Sequence, residues 1–350
     1  MNNKATDFLR EYITKTNSLI ELYLNLQIKK NISLGKIPIK ILESFKEMCL
    51  LGKKVRGALI VLSNLANGGK NTKEIYKASI FYEIFCTGIL VQDDVMDNGQ
   101  TRRGLACLHK QFDNNLAICI SDFAYFTSYE GLLKTDFPID NKMEAMRLLS
   151  FYSARLSLGQ ILDVTNTQIE KVSEKDILEI LKMKSGEYSI ILPMLIGAVL
   201  AGVTDEKKLQ LIYDFGLAVG WVFQLGDDIL GIFGEEEKLG KSITSDLSEG
   251  KITLLQLYLY QMGNEKQKDL QSRVLGNKEV TKLELEEMRN ALRKSGALKK
   301  VEMMMEKYAN EAINMIPQLT TEKKYQQIFL DLVDFLLVRK NKIYQFFIGH

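Results

Sequence analysis

Apolar positions recur at three- and four-residue spacing along most of the chain, the pattern of helices that each bury one face. From Asp7 to about Lys30, Phe8, Tyr12, Leu19, Leu22 and Leu26 mark a first amphipathic helix, and Gly35 and Pro38 turn the chain into a second over Pro38 to Leu50. Asn-Gly-Gly-Lys-Asn-Thr at 67–72 is a loop. The next segment, Thr72 to Met96, starts amphipathic and then carries no charge on any side from Ile84 to Gln92. A helix that is apolar all round is buried. This one nevertheless ends on Asp93-Asp94-Val95-Met96-Asp97. Further helices are expected at 114–134 and 141–169, broken by Asp136-Phe137-Pro138, and from Ser173 to about Gly186. The uncharged segment 188–203 and a helix from Asp205 lead to Gln224-Leu225-Gly226-Asp227-Asp228. Residues 231–250 read as a charged surface loop, and two or three amphipathic helices complete the chain.

Four prolines in 350 residues, with no run of hairpin signals, point to an all-α fold. Helical patterning continues between the two acidic clusters, so one domain over 1–350 is expected. A formal net charge of +2 gives no electrostatic case for a nucleic-acid partner. Cys49, Cys86, Cys107 and Cys119 sit in apolar surroundings without metal-like spacing, which suits free thiols in a reducing compartment. The N-terminal segment carries Lys4, Asp7, Arg10 and Glu11 and lacks the apolar core of a signal peptide. Tyr188 to Thr204, interrupted by Pro193, falls short of the ~20 apolar residues of a membrane span. It is expected to be a core helix.

Asp93 and Asp97 are one helical turn apart and share a face, with Asp94 beside them. Like charges at that spacing repel, so either the cluster is a solvated helix end or a cation compensates it. Carboxylate oxygens suit Mg²⁺, which completes its shell with waters and phosphate oxygens. Asp227-Asp228 repeats the arrangement after Leu217 to Leu225, and two such clusters facing across a cavity could grip metal ions bridged by a diphosphate. Thr101-Arg102-Arg103-Gly104 follows the first cluster, and arginine recognises phosphate oxygens with a planar fork. Lys53 and Arg56 are three apart, Lys184-Ser185-Gly186 offers a cation and a hydroxyl, and Lys241 and Lys251 flank the second cluster's loop.

In this combination the sequence resembles the trans-prenyltransferases, the farnesyl and geranylgeranyl diphosphate synthase family, over roughly residues 45–260. Asp93-Asp94-x-x-Asp97 with Arg102-Arg103-Gly104, Gln224-x-x-Asp227-Asp228, Gly52-Lys53-Lys54-Val55-Arg56, Gly159-Gln160-x-x-Asp163 and Gly240-Lys241 carry the resemblance. It implies a helical bundle of the isoprenoid synthase type around a central cavity, and a cytoplasmic homodimer. The reaction implied is head-to-tail condensation of isopentenyl diphosphate with an allylic diphosphate. Asp93, Asp97 and Asp227 would ligate Mg²⁺, three ions in all, with Asp94 and Asp228 supporting. Lys53, Arg56 and Arg103 would hold isopentenyl diphosphate. Arg102, Lys184, Ser185, Gln224, Lys241 and Lys251 would serve the allylic diphosphate and its surroundings. Three positions depart from the pattern: Cys86 where His or Gln is usual, Gly57 where proline is common, and Gly231 where the second motif usually ends in Asp.

The family also ties product length to the residues just before the first Asp. Here these are Ile89 and Gly88, and Gly88 is expected to leave the cavity open, so that Phe85, Tyr82 and Phe81 form its floor or else are ordinary core. Phe85 would lie roughly 12 Å below the metals. Geranylgeranyl diphosphate is the expected product. Two other readings compete: a class I terpene cyclase, which needs no second diphosphate site, and a non-catalytic subunit of a heteromeric synthase, for which Cys86 is the hint.

Overall fold

A computed structural model describes residues 3–165, 168–234 and 245–338. Helix α1 spans Lys4–Lys30 and is capped by the Asn3 side chain, which accepts from the Thr6 N–H. Then follow α2 (Lys36–Leu50), α3 (Val55–Ala66) and α4 (Lys73–Met96). Two-residue strands β1 (Thr101–Arg102) and β2 (Leu105–Ala106) pair antiparallel, and α5 (Leu108–Gln111), α6 (Asn114–Leu133) and α7 (Ile139–Thr165) come next. A Ser173–Asp176 capping box opens α8 (Glu174–Leu181), which passes into a π-helix, Lys182–Ile191, and then α9 (Leu192–Leu200). The remainder is α10 (Glu206–Phe233), α11 (Ser245–Ser248), α12 (Leu254–Met262), α13 (Glu265–Val274), α14 (Lys282–Lys294), α15 (Ala297–Leu319) and α16 (Lys323–Val338).

The all-α class is therefore as the sequence indicates. The number of helices from residue 254 onward is not, because among the described residues the two or three expected there are five. Capping pairs Asn264–Gln267 and Thr281–Glu284, and Gly296 with φ of +84°, divide what reads as longer amphipathic stretches.

Packing divides the chain into two compact units, Met1–Leu148 with Pro193–Leu209, and Leu149–Leu192 with Gln210–His350. In the first, α4 packs against α1, α3 and α6 around Ile20, Leu24, Phe45, Ile84, Ile120 and Ala124. There α9 lies tightly on α3: Ser63 Oγ donates to the Met194 carbonyl at 2.6 Å, and a Cβ on Gly197 would stand 2.2 Å from the Ile60 carbonyl oxygen. In the second unit α10 crosses the π-helix so closely that a Cβ on Gly220 would lie 2.8 Å from Gly186 Cα. Phe215 meets Phe329 edge-on at 5.3 Å. Glu174–Leu200 and Glu206–Phe233 are long and apolar enough for a membrane span by length and composition. Their apolar windows are 89% and 78% buried, so both are core helices.

Candidate active site

The uncharged end of α4 delivers its acidic motif to the edge of the first unit. Asp93 is partly exposed and Asp97, the helix C-cap, is exposed, whereas Asp94 is buried. Asp94 Oδ1 accepts from Arg102 Nε at 2.9 Å and Nη2 at 2.5 Å, and Arg102 Nη2 also reaches Asp93 Oδ2 at 3.5 Å. A buried carboxylate needs such a partner. The three aspartates thus differ: two stand at the rim and one is internal, tied to the arginine assigned above to the allylic diphosphate. Burial and the Asp94 charge push the neighbouring Cys107 thiol up to about 12, so it stays protonated.

The adjacent Arg103 goes elsewhere. Its backbone is left-handed, φ +55°, at the turn between β1 and β2, which splits the two arginines. Arg103 Nη1 donates to the Met48 carbonyl, and the guanidinium fills the space beside Gly52, where a Cβ would lie 2.5 Å from Nε. It lies close enough to Arg56 to feel that charge. Lys53 and Arg56 are both half-buried; Lys53 precedes α3 and Arg56 sits in its first turn. Lys54 between them turns inward with φ +48°, donates to the Leu50 carbonyl at 2.8 Å, and is lowered by burial to about 8. Two residues that sequence reasoning missed complete this cluster. Glu83 of α4, 5% exposed, accepts from the Gly57 N–H at 2.6 Å, and Cys49 is pushed up to about 12 by burial. The signal for Glu83 was present: a lone carboxylate inside an otherwise apolar helical stretch.

The second unit repeats the division of labour. Asp227 is partly exposed and Asp228 is 4% exposed, with Gln224 Nε2 donating to Asp228 Oδ1 at 3.0 Å. Lys184 projects from the π-helix and meets Asp163 of α7 at 2.5 Å, while Gly159 lets α7 approach the Lys184 backbone. A π-helical turn re-aims side chains relative to an α-helix and is frequent at functional sites. Ser185 is half-buried beside it and Lys251 is half-buried before α12. Arg155 Nε donates to the buried Glu187 at 2.7 Å and braces the same segment. Lys241 lies outside the described residues.

Two expectations about product length change. Gly88 does not leave open space: a Cβ there would meet Ala124 Cβ at 2.9 Å and Tyr125 Cε1 at 3.1 Å, because α6 presses on α4. Nor do the three aromatics pack as one group. Phe81 packs edge-on against Tyr23 at 4.9 Å in the core shared with α1, whereas Phe85 stacks with Tyr82 and lies 5.2 and 5.9 Å from Tyr125 and Tyr129 of α6. Ile89 is half-buried. Cys86 is 1% exposed, so the position that carries His or Gln in the family is internal here.

The acidic residues fit a hard divalent ion. Their donors are carboxylate oxygens, and Asp94 Oδ2 is buried without a hydrogen bond. Among the described residues no three His, Cys, Asp or Glu form a ready-made cage. Mg²⁺ needs none where waters and phosphate oxygens complete its shell.

Helical packing, two core helices that each carry an Asp-Asp pair, and two separate groups of cations fit a helical enzyme class that handles diphosphates in a metal-dependent way. The polyprenyl synthetase family model matches residues 39–292, and the chain belongs to that family and is a prenyltransferase. A geranylgeranyl diphosphate synthase of Saccharolobus solfataricus is 30% identical over 92% of this chain and 98% of its own. A polyprenyl synthase of Caulobacter crescentus, solved with calcium and isoprenyl diphosphate, superposes with a TM-score of 0.78 at 25% identity, over 93% of this chain and 97% of its own. Geranylgeranyl pyrophosphate synthase of Corynebacterium glutamicum, solved with isoprenyl diphosphate and magnesium, shares the fold with a TM-score of 0.86 at 20% identity, over 95% and 99%.

Proposed function

We propose that this chain condenses isopentenyl diphosphate head to tail with an allylic diphosphate and makes geranylgeranyl diphosphate. One observation carries the reading: neighbouring arginines serve different groups. Arg102 turns to the acidic motif, whereas Arg103 turns to the Met48 carbonyl and packs against Gly52 beside Lys53, an arrangement that suits an enzyme with two diphosphate sites. A cyclase has no use for the second group, and a subunit without catalysis has no use for either.

In this reading the chain works as one domain and both acidic motifs serve the metal. Asp93, Asp97 and Asp227 would hold Mg²⁺, three ions with the substrate bound, and Asp94 and Asp228 would orient them from behind. When bound, the metal supplies positive charge that stabilises the departing diphosphate. Lys184, Ser185, Gln224, Lys241 and Arg102 bind the allylic diphosphate, while Lys53, Arg56 and Arg103 bind and orient isopentenyl diphosphate. The uncharged stretch Ile84 to Gln92 excludes water from the allylic cation, which water would otherwise trap. Phe85 with Tyr125 and Tyr129 closes the chain-length end. A second copy of the chain fits the exposed apolar residues Ile118, Phe126 and Leu133 of α6, and free thiols suit the cytoplasm.

Steady-state kinetics of two variants test the assignment. Arg103→Ala raises the KM for isopentenyl diphosphate and spares that for the allylic substrate, whereas Arg102→Ala does the reverse. Equal effects of both variants on both substrates would defeat the two-site reading.

A further inference from the structure

We infer that Glu83 is a positioning residue for the isopentenyl-diphosphate clamp, acting through the Gly57 N–H at the first turn of α3. The inference rests on the assignment of Lys53, Arg56 and Arg103 made above.

The first N–H groups of a helix have no partner within it. A Ser, Thr, Asp or Asn at the N-cap normally satisfies one of them. Here the N-cap is Lys54, which makes no side-chain cap bond. Glu83 takes that role from another helix, its Oε1 accepting the Gly57 N–H at 2.6 Å. The carboxylate also brings negative charge to the positive end of α3. Its charge reaches the buried Lys54 and the half-buried Arg103 of the cluster. Gly57 directly follows Arg56, so fixing its peptide fixes the origin of the Arg56 side chain.

The contact belongs to this chain's own sequence. Proline, common at this position in the family, has no N–H to donate. Nor does the space admit a side chain: a Cβ on Gly57 would lie 2.0 Å from Tyr12 Oη and 2.8 Å from Glu83 Cγ. Tyr12 Oη is 2.9 Å from Ser79 Oγ, and burial with the Glu83 charge keeps the phenol protonated. Tyr12, Ser79, Glu83 and Gly57 therefore form one buried polar core behind the clamp. A mere helix cap would support stability alone. A positioning residue also sets the affinity for one substrate and not the other.

The two roles separate in the full-length chain assayed with both substrates. Glu83→Ala should raise the KM for isopentenyl diphosphate about tenfold and leave the allylic KM within about twofold. Glu83→Gln keeps an acceptor oxygen for the Gly57 N–H and should return the isopentenyl KM to within about threefold of the parent. Should Glu83→Ala fail to fold, Glu83→Asp keeps the charge but withdraws it by one methylene, and should raise the isopentenyl KM selectively. The inference is overturned if these variants lower Tm while both KM values move together or stay fixed, or if glutamine is as impaired as alanine. Lys53→Ala serves as the control. If it leaves the isopentenyl KM unchanged, the clamp assignment itself falls, whatever Glu83 does.

Discussion

The crossing of α10 over the π-helix allows a sharp test, because its two glycines differ in what a methyl group would meet. At Gly220 an added Cβ stands 2.8 Å from Gly186 Cα and 3.7 Å from its carbonyl carbon. Carbon atoms in contact sit about 3.5–4.0 Å apart, so the helices must part by roughly an ångström. Both partners are backbone, and neither can swing aside. Overpacking of this kind costs about 1–3 kcal/mol, offset by up to ~1 kcal/mol from replacing a helical glycine with alanine. At Gly186 the nearest atoms to an added Cβ are 3.9 Å away, so only the favourable part remains. Each kcal/mol moves the Tm of a domain of about 150–250 residues by roughly 2–4 °C. With backbone against backbone the cost falls in the upper part of that range, a net loss of about 1–2 kcal/mol, so Gly220→Ala should lower Tm by about 2–8 °C, and Gly186→Ala should leave it unchanged or raise it by up to about 4 °C. Because the π-helix carries Lys184 and Ser185, Gly220→Ala should also raise the allylic KM more than the isopentenyl KM. Scanning calorimetry with initial-rate kinetics measures both. A Gly220→Ala protein that melts with the parent and binds the allylic substrate normally would refute the close approach.

Other outcomes follow from the same geometry. Arg102→Ala strands the buried Asp94 carboxylate and should cost about 2–4 kcal/mol in denaturant unfolding, with Asp94→Asn recovering much of it in the same background. Gly88→Phe should damage the α4–α6 packing, seen as a lower Tm, and is not a clean chain-length variant. Phe85→Ala, which removes the ring set against Tyr125 and Tyr129, should give longer products by chromatography; an unchanged product profile would exclude Phe85 from the floor. Lys54, lowered to about 8 from 10.5, gives a pH signature. Between those values the unfolded chain keeps a proton that the folded chain has lost, so stability from this residue rises with pH across the window, and the penalty is complete below about 8. The stability gap between Lys54→Met and the parent should narrow from pH 8 to 10.5, and a constant gap would show Lys54 to be solvated.

Much of this was legible in the sequence. Helix α4, expected over Thr72 to Met96, runs Lys73–Met96, because its apolar pattern and its acidic end are both local signals. Asp93 and Asp94 lie in the last turn of a core helix as anticipated, whereas Asp227 and Asp228 lie inside α10, which runs on to Phe233 instead of ending at the motif. What escaped depends on pairs of residues far apart in the chain. Nothing near Gly57 announces Glu83, nothing near Lys184 announces Asp163, and Gly88 looks like spare room until Ala124 and Tyr125 arrive from α6. The π-helix was hidden for another reason: ten residues are too few to separate its period from that of an α-helix, and Ser185-Gly186 read as a helix end. The β1–β2 hairpin, two residues per strand, gives no periodicity at all, yet it sends Arg102 and Arg103 to different partners.

The most direct test of the account is product analysis on the purified full-length chain without any partner protein. Labelled isopentenyl diphosphate, an allylic diphosphate and Mg²⁺ should give geranylgeranyl diphosphate as the main chromatographic band, and a chelator should abolish it. Label remaining in isopentenyl diphosphate, a cyclised hydrocarbon, or a profile ending at farnesyl diphosphate would contradict it.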